Sequence, residues 1–278
     1  MPQLSPLSPG SPLTVVAALR AAGCVFAEDE AELILATAPT PDELAAMVDR
    51  RAAGLPLEHV LGWAEFHGLR VAVEPGVFVP RRRTEFLVDQ ALARAPQASV
   101  VVDLCCGSGA VGVAIATALG PVELHASDVD PAAVRCARRN IAAFGGHAHT
   151  GDLFDALPGH LRGRVGILAA NVPYVPTAEV GLLPAEARDH EPLTALDGGA
   201  DGLDVLRRVA AAAPDWLAPG GCLLVETSER QSPAAVEEFT RAGLRTHLAA
   251  SEELYANVVI GVRERQGGGS APSRSPAR

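Results

Sequence analysis

Short apolar runs alternate with longer helical patterns from about residue 84 onward, and this alternation restricts the fold more than any other feature of the sequence. Seven strands are predicted near residues 99–103, 122–128, 147–150, 165–171, 221–226, 244–249 and 256–262, and helices near residues 84–95, 110–119, 131–144, 202–217 and 231–242. Such alternation favours an α/β fold in which helices cover both faces of a parallel sheet. The last two strands are joined by residues 250–255 alone, which is too short for a parallel crossover. We therefore expect a mostly parallel, seven-stranded sheet whose last two strands pair in antiparallel fashion.

The N-terminal part of the chain has a different pattern. Apolar residues recur at helical spacing over residues 13–62, which predicts a small helical domain. It has little catalytic character, so we expect it either to grip a partner, as a substrate-recognition domain, or to cover the site. Residues 63–83 alternate in polarity and include two glycines, which predicts a hairpin linker to a catalytic domain at residues 84–265. Residues 1–12 and 266–278 are rich in Ser, Pro and Gly, so we expect both ends to be disordered.

Composition limits the classes of function. No apolar run in the 278 residues reaches the roughly 18 that a membrane span needs, and no basic segment precedes an apolar one at the N-terminus. Five cysteines in a chain this long do not make a disulfide framework. We expect a cytoplasmic protein with no membrane partner. The net charge of −10 makes nucleic acid an unlikely direct substrate, because binding to phosphates relies on an excess of Lys and Arg.

A glycine-rich loop follows the strand predicted near residues 99–103. The sequence Cys105-Cys106-Gly107-Ser108-Gly109 continues to Gly112 in the spacing G-x-G-x-x-G, and Asp128 ends the next predicted strand. Glycines allow the backbone to approach a nucleotide closely, and a carboxylate at that strand end accepts hydrogen bonds from ribose hydroxyls. The pattern suits both NAD and S-adenosylmethionine.

Asp103 favours S-adenosylmethionine over NAD. A carboxylate at this strand end would repel a pyrophosphate, whereas the methionine part of S-adenosylmethionine carries an ammonium and a sulfonium. Asp152 and Leu153 follow another predicted strand and are placed to meet the adenine edge, although Asp152 could equally cap a helix. Cys105, Cys106, His147 and His149 lack metal-ligand spacing and are interpreted as structural residues, so no metal site is predicted.

The segment Asn171-Val172-Pro173-Tyr174 follows a buried apolar strand and has the features of an amine-recognition loop. An amide nitrogen is a poor nucleophile, so an enzyme must hold both N–H groups and direct the lone pair at the methyl carbon. The Asn171 side-chain oxygen can accept one N–H and the Val172 carbonyl the other. Pro173 biases Val172 toward an extended conformation, and Tyr174 offers a ring face for stacking. The alternative is a simple turn that ends the strand.

With these motifs, the chain resembles the HemK/PrmC protein-(glutamine-N5) methyltransferases over about residues 13–263. Further matching stretches are residues 55–62, 66–68, 78–85, 191–203 and 217–221. The resemblance implies a class I Rossmann-like methyltransferase fold with an N-terminal helical domain, and S-adenosylmethionine as cofactor. It implies that residues 105–109, Asp128, Asp152 and Leu153 bind the cofactor, and we expect Asn171 to contact the cofactor as well as the substrate. The substrate would be the glutamine of the Gly-Gly-Gln motif in a peptide chain release factor, held by residues 171–174.

The sequence departs from the family pattern at several positions. Cys105 replaces a glycine, Val172 replaces a proline, and Arg82 and Arg83 replace Pro and Glu in the linker motif. Two alternatives therefore stay open beside glutamine methylation. One is methylation of an adenine amine in DNA or RNA, whose planar NH2 group suits the same loop. The other is a homologue that binds a partner protein without transferring methyl groups.

Overall fold

A computed structural model describes residues 11–265 of the chain. The first four helices form the N-terminal bundle, and they are α1 (Pro12–Ala21), α2 (Ala27–Thr37), α3 (Pro41–Ala52) and α4 (Leu57–Leu61). Ser11 and Thr40 cap α1 and α3, since each hydroxyl accepts a backbone N–H in the first turn of its helix. Leu19, Ile34 and Met47 are buried between these helices. Because α1 begins at Pro12, residues 11 and 12 belong to the bundle, and the rest of the two predicted disordered ends lies outside the described residues.

A two-stranded hairpin of β1 (Trp63–Phe66) and β2 (Leu69–Ala72) follows the bundle. His67 and Gly68 form its two-residue turn, and both have positive φ, as the twist of such a hairpin requires. The His67 N–H donates to the Glu85 carboxylate at 2.9 Å. This bond fastens the hairpin to the first helix of the next part of the chain.

The main sheet has seven strands, with the order β5-β4-β3-β6-β7-β9-β8. They are β3 (Val100–Leu104), β4 (Glu123–Asp128), β5 (His147–Thr150), β6 (Val165–Ala170), β7 (Leu217–Thr227), β8 (Arg245–Ser251) and β9 (Ala256–Val262). Strands β3 to β7 pair with one another in parallel, whereas β9 lies antiparallel to both β7 and β8. The prediction of a mostly parallel sheet with an antiparallel last pair is confirmed.

Helices cover both faces of this sheet, and each face has its own apolar core. Helices α5 (Glu85–Arg94), α6 (Ala110–Leu119) and α7 (Pro131–Ile141) cover one face, and α10 (Asp204–Trp216) and α11 (Ser232–Arg241) cover the other. Residues alternate between the two cores along β3, since Val101 faces the first core while Val100 and Val102 face the second. Burial on both faces explains why the strands are continuous apolar runs.

The segment between β6 and α10 was not predicted to be helical. It contains a 3-10 helix (Thr177–Leu182) and the short helices α8 (Ala185–His190) and α9 (Leu193–Leu196). These two α-helices have only six and four residues, and Pro184 and Pro192 immediately precede them. A helix this short shows no helical period in the sequence. Among residues 11–265, no helix is long and apolar enough to cross a membrane.

Candidate active site

The carboxyl ends of β3, β4 and β6 surround one cavity of about 820 Å³. It lies where the strand order reverses between β3 and β6, which is the usual position of a ligand crevice in open α/β sheets. Nine of the predicted site residues line it, namely Cys105, Gly107, Asp128, Asp152, Leu153, Asn171, Val172, Pro173 and Tyr174. Residues far apart in the sequence are therefore brought together in a single pocket of the size that small-molecule sites have.

Asp128 is positioned by two backbone N–H groups. Its Oδ2 accepts the Gly107 N–H at 2.9 Å, and its Oδ1 accepts the Asp130 N–H at 2.9 Å. Each carboxylate oxygen can accept a second hydrogen bond, so the group remains able to receive two hydroxyls from the cavity. Burial raises the pKa of Asp128 above its usual value, and the two N–H donors oppose that shift.

The glycine-rich loop runs close to its neighbours. Gly109 has a φ of +77°, and a Cβ at this position would lie 3.1 Å from the Ala137 Cβ. Cys105 also takes a left-handed φ, of +53°, although it has a side chain. Burial raises the pKa of the Cys105 and Cys106 thiols well above their usual range. Both thiols are therefore neutral, in keeping with a structural role.

Asp103 lies behind the loop and outside the cavity wall. Its side chain is buried, and Oδ2 accepts the N–H of Gly112 in the first turn of α6 at 2.8 Å. Burial raises the pKa of Asp103 to about 8. The structure thus shows a carboxyl group that holds the loop against α6, and the predicted contact with a cofactor ammonium stays a prediction. Cys106, Ser108 and Gly109 also do not line the cavity.

Asp152 and Leu153 form the opposite side of the cavity. Asp152 precedes a 3-10 helix (Leu153–Ala156), but its side chain caps none of that helix's N–H groups. Instead, Oδ2 accepts a hydrogen bond from Arg208 at 2.6 Å, and both residues line the cavity. Asp152 therefore does not cap this helix, and its contact with the adenine edge stays a prediction.

Asn171 has an unused hydrogen-bond acceptor. Its Oδ1 atom is buried and has no hydrogen-bond partner within residues 11–265. A buried acceptor without a partner costs about 1–3 kcal/mol, so such atoms are rare unless a ligand satisfies them. The neighbouring Val172 carbonyl also accepts no backbone or side-chain hydrogen bond from the described part of the chain. Two acceptors at adjacent positions are thus free to bind N–H groups.

The loop 171–174 is held rigidly from behind. Gln231 donates from Nε2 to the Tyr174 carbonyl at 2.8 Å. A Cβ on Gly198 would lie 2.6 Å from the Pro173 carbonyl oxygen, and one on Gly202 would lie 2.2 Å from the Tyr174 carbonyl oxygen. Only glycines allow such close packing of two backbones. Residues 191–203, which match the family in sequence, therefore pack their backbone against the loop 171–174. The sequence did not reveal this role.

Two arginines of the hairpin linker reach the same cavity. Arg83 donates to the Tyr174 hydroxyl and, at 2.8 Å, to the buried carboxylate of Glu226. Burial, followed by the nearby Glu226 charge, raises the pKa of Tyr174 to about 12, so its hydroxyl is protonated. Arg81 donates to both oxygens of Glu191 at 2.6 Å. The arginine cluster therefore orders the rim of the cavity.

Comparison with known proteins identifies the family. A family model described as the methyltransferase small domain matches residues 68–174. The release factor glutamine methyltransferase of Geobacter sulfurreducens is 40% identical over 228 residues, which cover 80% of this chain and 79% of that protein. The chain belongs to the HemK/PrmC family of protein-(glutamine-N5) methyltransferases.

Two further relatives extend this comparison. A 4-amino-L-phenylalanine/4-methylamino-L-phenylalanine methyltransferase of Streptomyces pristinaespiralis is 34% identical over 254 residues, covering 88% of this chain and 85% of that one. A methyltransferase structure from Pyrococcus furiosus superimposes with a TM-score of 0.54 at 16% identity, covering 71% of this chain and 90% of that chain. The latter likeness shows the fold alone, which is the class I methyltransferase fold predicted from the sequence.

The methyl donor of the HemK/PrmC family is S-adenosylmethionine, and the residues of the cavity fit it. Asp128 keeps free acceptor capacity for two ribose hydroxyls, and the Gly107 backbone leaves room for close approach. Asp152 and Leu153 lie across the same cavity, where the base would be held. The departure at Cys105 does not prevent this arrangement, because Cys105 takes the left-handed φ that glycine would adopt.

Several supporting residues were missed from the sequence. Gln231, Glu226 and Gly198 each contact the loop 171–174 or its Tyr174 from positions far along the chain. Gln231 and Glu226 belong to no recognisable motif. The stretch 191–203 was the one available signal for Gly198, since its resemblance to the family was noted without a role.

Proposed function

We propose that the protein methylates the side-chain amide nitrogen of a glutamine, in the Gly-Gly-Gln motif of a peptide chain release factor. The observation that carries this proposal is the buried, unpartnered Oδ1 of Asn171 at the end of β6, beside the free carbonyl of Val172. A primary amide presents two N–H groups in one plane, which is what two adjacent acceptors can bind. The activity named for the Geobacter sulfurreducens relative supports the same substrate.

The residues of the loop have distinct roles in the proposed reaction. Bound S-adenosylmethionine supplies an electrophilic methyl group. Asn171 Oδ1 and the Val172 carbonyl hold the two N–H groups and so orient the nitrogen lone pair, while Tyr174 lies beside them for the amide plane to stack on. The loop is fixed beforehand by Gln231 and Gly198, so little reorganisation is needed when the substrate arrives. Positioning of this kind replaces a strong general base.

The contact between the helical bundle and the cavity supports a protein substrate. Arg51 of α3 is buried, pairs with Glu30 of α2 at 2.6 Å, and donates to Glu186 of α8 at 2.6 Å. Glu186 itself lines the cavity. A protein bound to the helical bundle would therefore lie next to the opening through which its glutamine enters. We accordingly propose residues 13–62 as the substrate-recognition domain, 63–83 as the linker and 84–265 as the catalytic domain, and a cytoplasmic location beside translation factors.

Methyl transfer to a purified release factor tests the proposal. The protein is incubated with isotopically labelled S-adenosylmethionine and either the wild-type host release factor or its Gly-Gly-Ala variant, and labelled peptides are identified by mass spectrometry. We expect label on the motif glutamine, no label on the variant, and loss of label when the enzyme carries Asn171→Ala. Equal labelling of the two release factors would contradict the proposed site of methylation.

A second candidate is N-methylation of a small aromatic amine. The Streptomyces pristinaespiralis relative acts on such an amine and covers 88% of this chain, and an aromatic NH2 is also planar. The comparison of kcat/KM for 4-amino-L-phenylalanine and for the release factor separates the two. A higher kcat/KM for the amino acid would favour this candidate.

Two alternatives are weaker. Adenine methylation in nucleic acid requires binding that the net charge of −10 opposes, and it would show as tight, salt-sensitive association at low ionic strength. A non-catalytic homologue would bind the partner protein without transferring a methyl group. Turnover on any substrate excludes it.

A further inference from the structure

A cluster of histidines lies at the amino-terminal end of β4, away from the cavity. His125 is buried on β4, Glu123 lies two residues earlier on the same face, and His160 approaches from a 3-10 helix at Gly159–Leu161. One ligand atom from each of these three residues lies within 4.8 Å of the others. Asp128, at the other end of β4, is five residues from Glu123, or about 16 Å along an extended strand. The cluster is therefore separate from the methylation site.

We propose that Glu123, His125 and His160 bind a divalent transition-metal ion of the Zn²⁺ type. The distances carry this inference. Glu123 Oε1 lies 3.3 Å from His125 Nε2 and 3.4 Å from His160 Nε2. Metal–ligand bonds of about 2.0–2.1 Å at tetrahedral angles place neighbouring ligand atoms about 3.3–3.4 Å apart. Two edges of a tetrahedron are thus already present, with water as the fourth ligand.

The second ring nitrogen of His125 has a hydrogen-bond partner, as in most metal-bound histidines. His125 Nδ1 lies 3.0 Å from His149 Nε2, and this hydrogen bond fixes the ring.

Arg164 lies next to the cluster and adds a positive charge to its surroundings. Its Nη2 donates to Glu123 Oε2 at 2.8 Å, so the other oxygen, Oε1, is the one directed at the two histidines. The guanidinium orients the carboxylate but adds a positive charge, which lowers the affinity for a cation. Imidazole ligands suit zinc, copper and nickel, whereas magnesium and calcium prefer sites of oxygen ligands alone. The donor set therefore selects a transition metal.

The proposed ion would link the start of β4 to the segment that leads into β6. His160 is well exposed, with 59% of its side chain accessible, so an ion can enter from solvent. An ion that binds the folded chain alone raises its thermal stability by mass action. The expected role is to fasten the amino-terminal end of β4 to this segment, with no part in methyl transfer.

Zinc binding to tag-free, chelator-treated protein tests the proposal, by calorimetric titration and by the visible absorption of the Co²⁺ form. We expect one ion per chain and a tetrahedral Co²⁺ spectrum. The variants His160→Ala and Glu123→Gln, both at accessible side chains, should each weaken binding at least about tenfold. The matched control His247→Ala removes an exposed histidine from β8, at the opposite edge of the sheet, and should leave binding unchanged.

Either of two results would overturn the proposal. One is the absence of saturable binding of one Zn²⁺ per chain. The other is an affinity that neither His160→Ala nor Glu123→Gln changes. At the same Zn²⁺ concentration, the melting temperatures of the wild type and of His247→Ala should rise more than that of His160→Ala. Methyl transfer by the wild type should be the same with and without chelator, and a loss of transfer in chelator would contradict the separation of the two sites.

Discussion

Replacing Asn171 with alanine should abolish most activity without destabilising the protein. Asn171 Oδ1 is buried and unpartnered, and the side chain makes no hydrogen bond within residues 11–265. Removing an unsatisfied acceptor relieves about 1–3 kcal/mol of desolvation cost and loses some packing, so we expect a free energy of unfolding that is unchanged or about 1 kcal/mol higher. Loss of the acceptor for the substrate N–H should lower kcat by about 10²–10³, by analogy with the loss of an oxyanion-hole donor.

Asn140→Ala is the matched control. Asn140 is also half-buried, but its amide makes three hydrogen bonds, two with the Ala72 backbone at 2.9 Å and one with the Ser108 carbonyl at 2.8 Å. Their loss should lower the free energy of unfolding by about 2–3 kcal/mol. Urea unfolding of both variants without cofactor, and kcat at saturating S-adenosylmethionine, provide the two measurements. The reasoning is refuted if Asn171→Ala is destabilised as much as Asn140→Ala, or if its kcat falls less than about tenfold.

Three further predictions concern the surroundings of the site. Gly198→Ala should lower kcat about 100-fold, because its Cβ would lie 2.6–2.8 Å from backbone atoms beside the loop, whereas Gly181→Ala meets nothing within 4 Å and should retain full activity. Arg83→Met should lower the free energy of unfolding by about 1–3 kcal/mol by leaving the Glu226 charge buried, and urea unfolding should show recovery on adding Glu226→Gln. The stability of Asp103→Asn relative to wild type should increase from about pH 4 to pH 8. The pKa of Asp103 is raised to about 8 in the folded protein, so the carboxyl ionises first in the unfolded chain and the wild type loses stability over this range.

Local sequence patterns were sufficient to predict most of the fold. The valine run at residues 100–102 identified β3, and the strand, loop and helix that follow one another there lie where the pattern placed them. The short connection at residues 250–255 was enough to predict an antiparallel last pair. These features depend on neighbours in the chain, so they can be recognised without tertiary structure.

Long-range contacts could not be predicted in the same way. Arg83 and Glu226 are 143 residues apart and meet at Tyr174, and nothing in either local sequence indicates the pairing. The buried position of Asp103 against α6 was also not foreseen, since a strand-end carboxylate suggests a cavity contact equally well. The proposed metal site could not be predicted from the sequence either. Glu123 and His125 are two residues apart on one strand, whereas His160 follows His125 by 35 positions, and this spacing matches no metal-binding motif.

The most direct test of the account is the methylation state of the host release factor after co-expression with this protein or with its Asn171→Ala variant, read by mass spectrometry of the Gly-Gly-Gln peptide. The account predicts a methylated glutamine with the wild type and an unmodified one with the variant, since the substrate amide would lose the acceptor that orients it. An unmodified glutamine in both samples, or equal methylation in both, would contradict it.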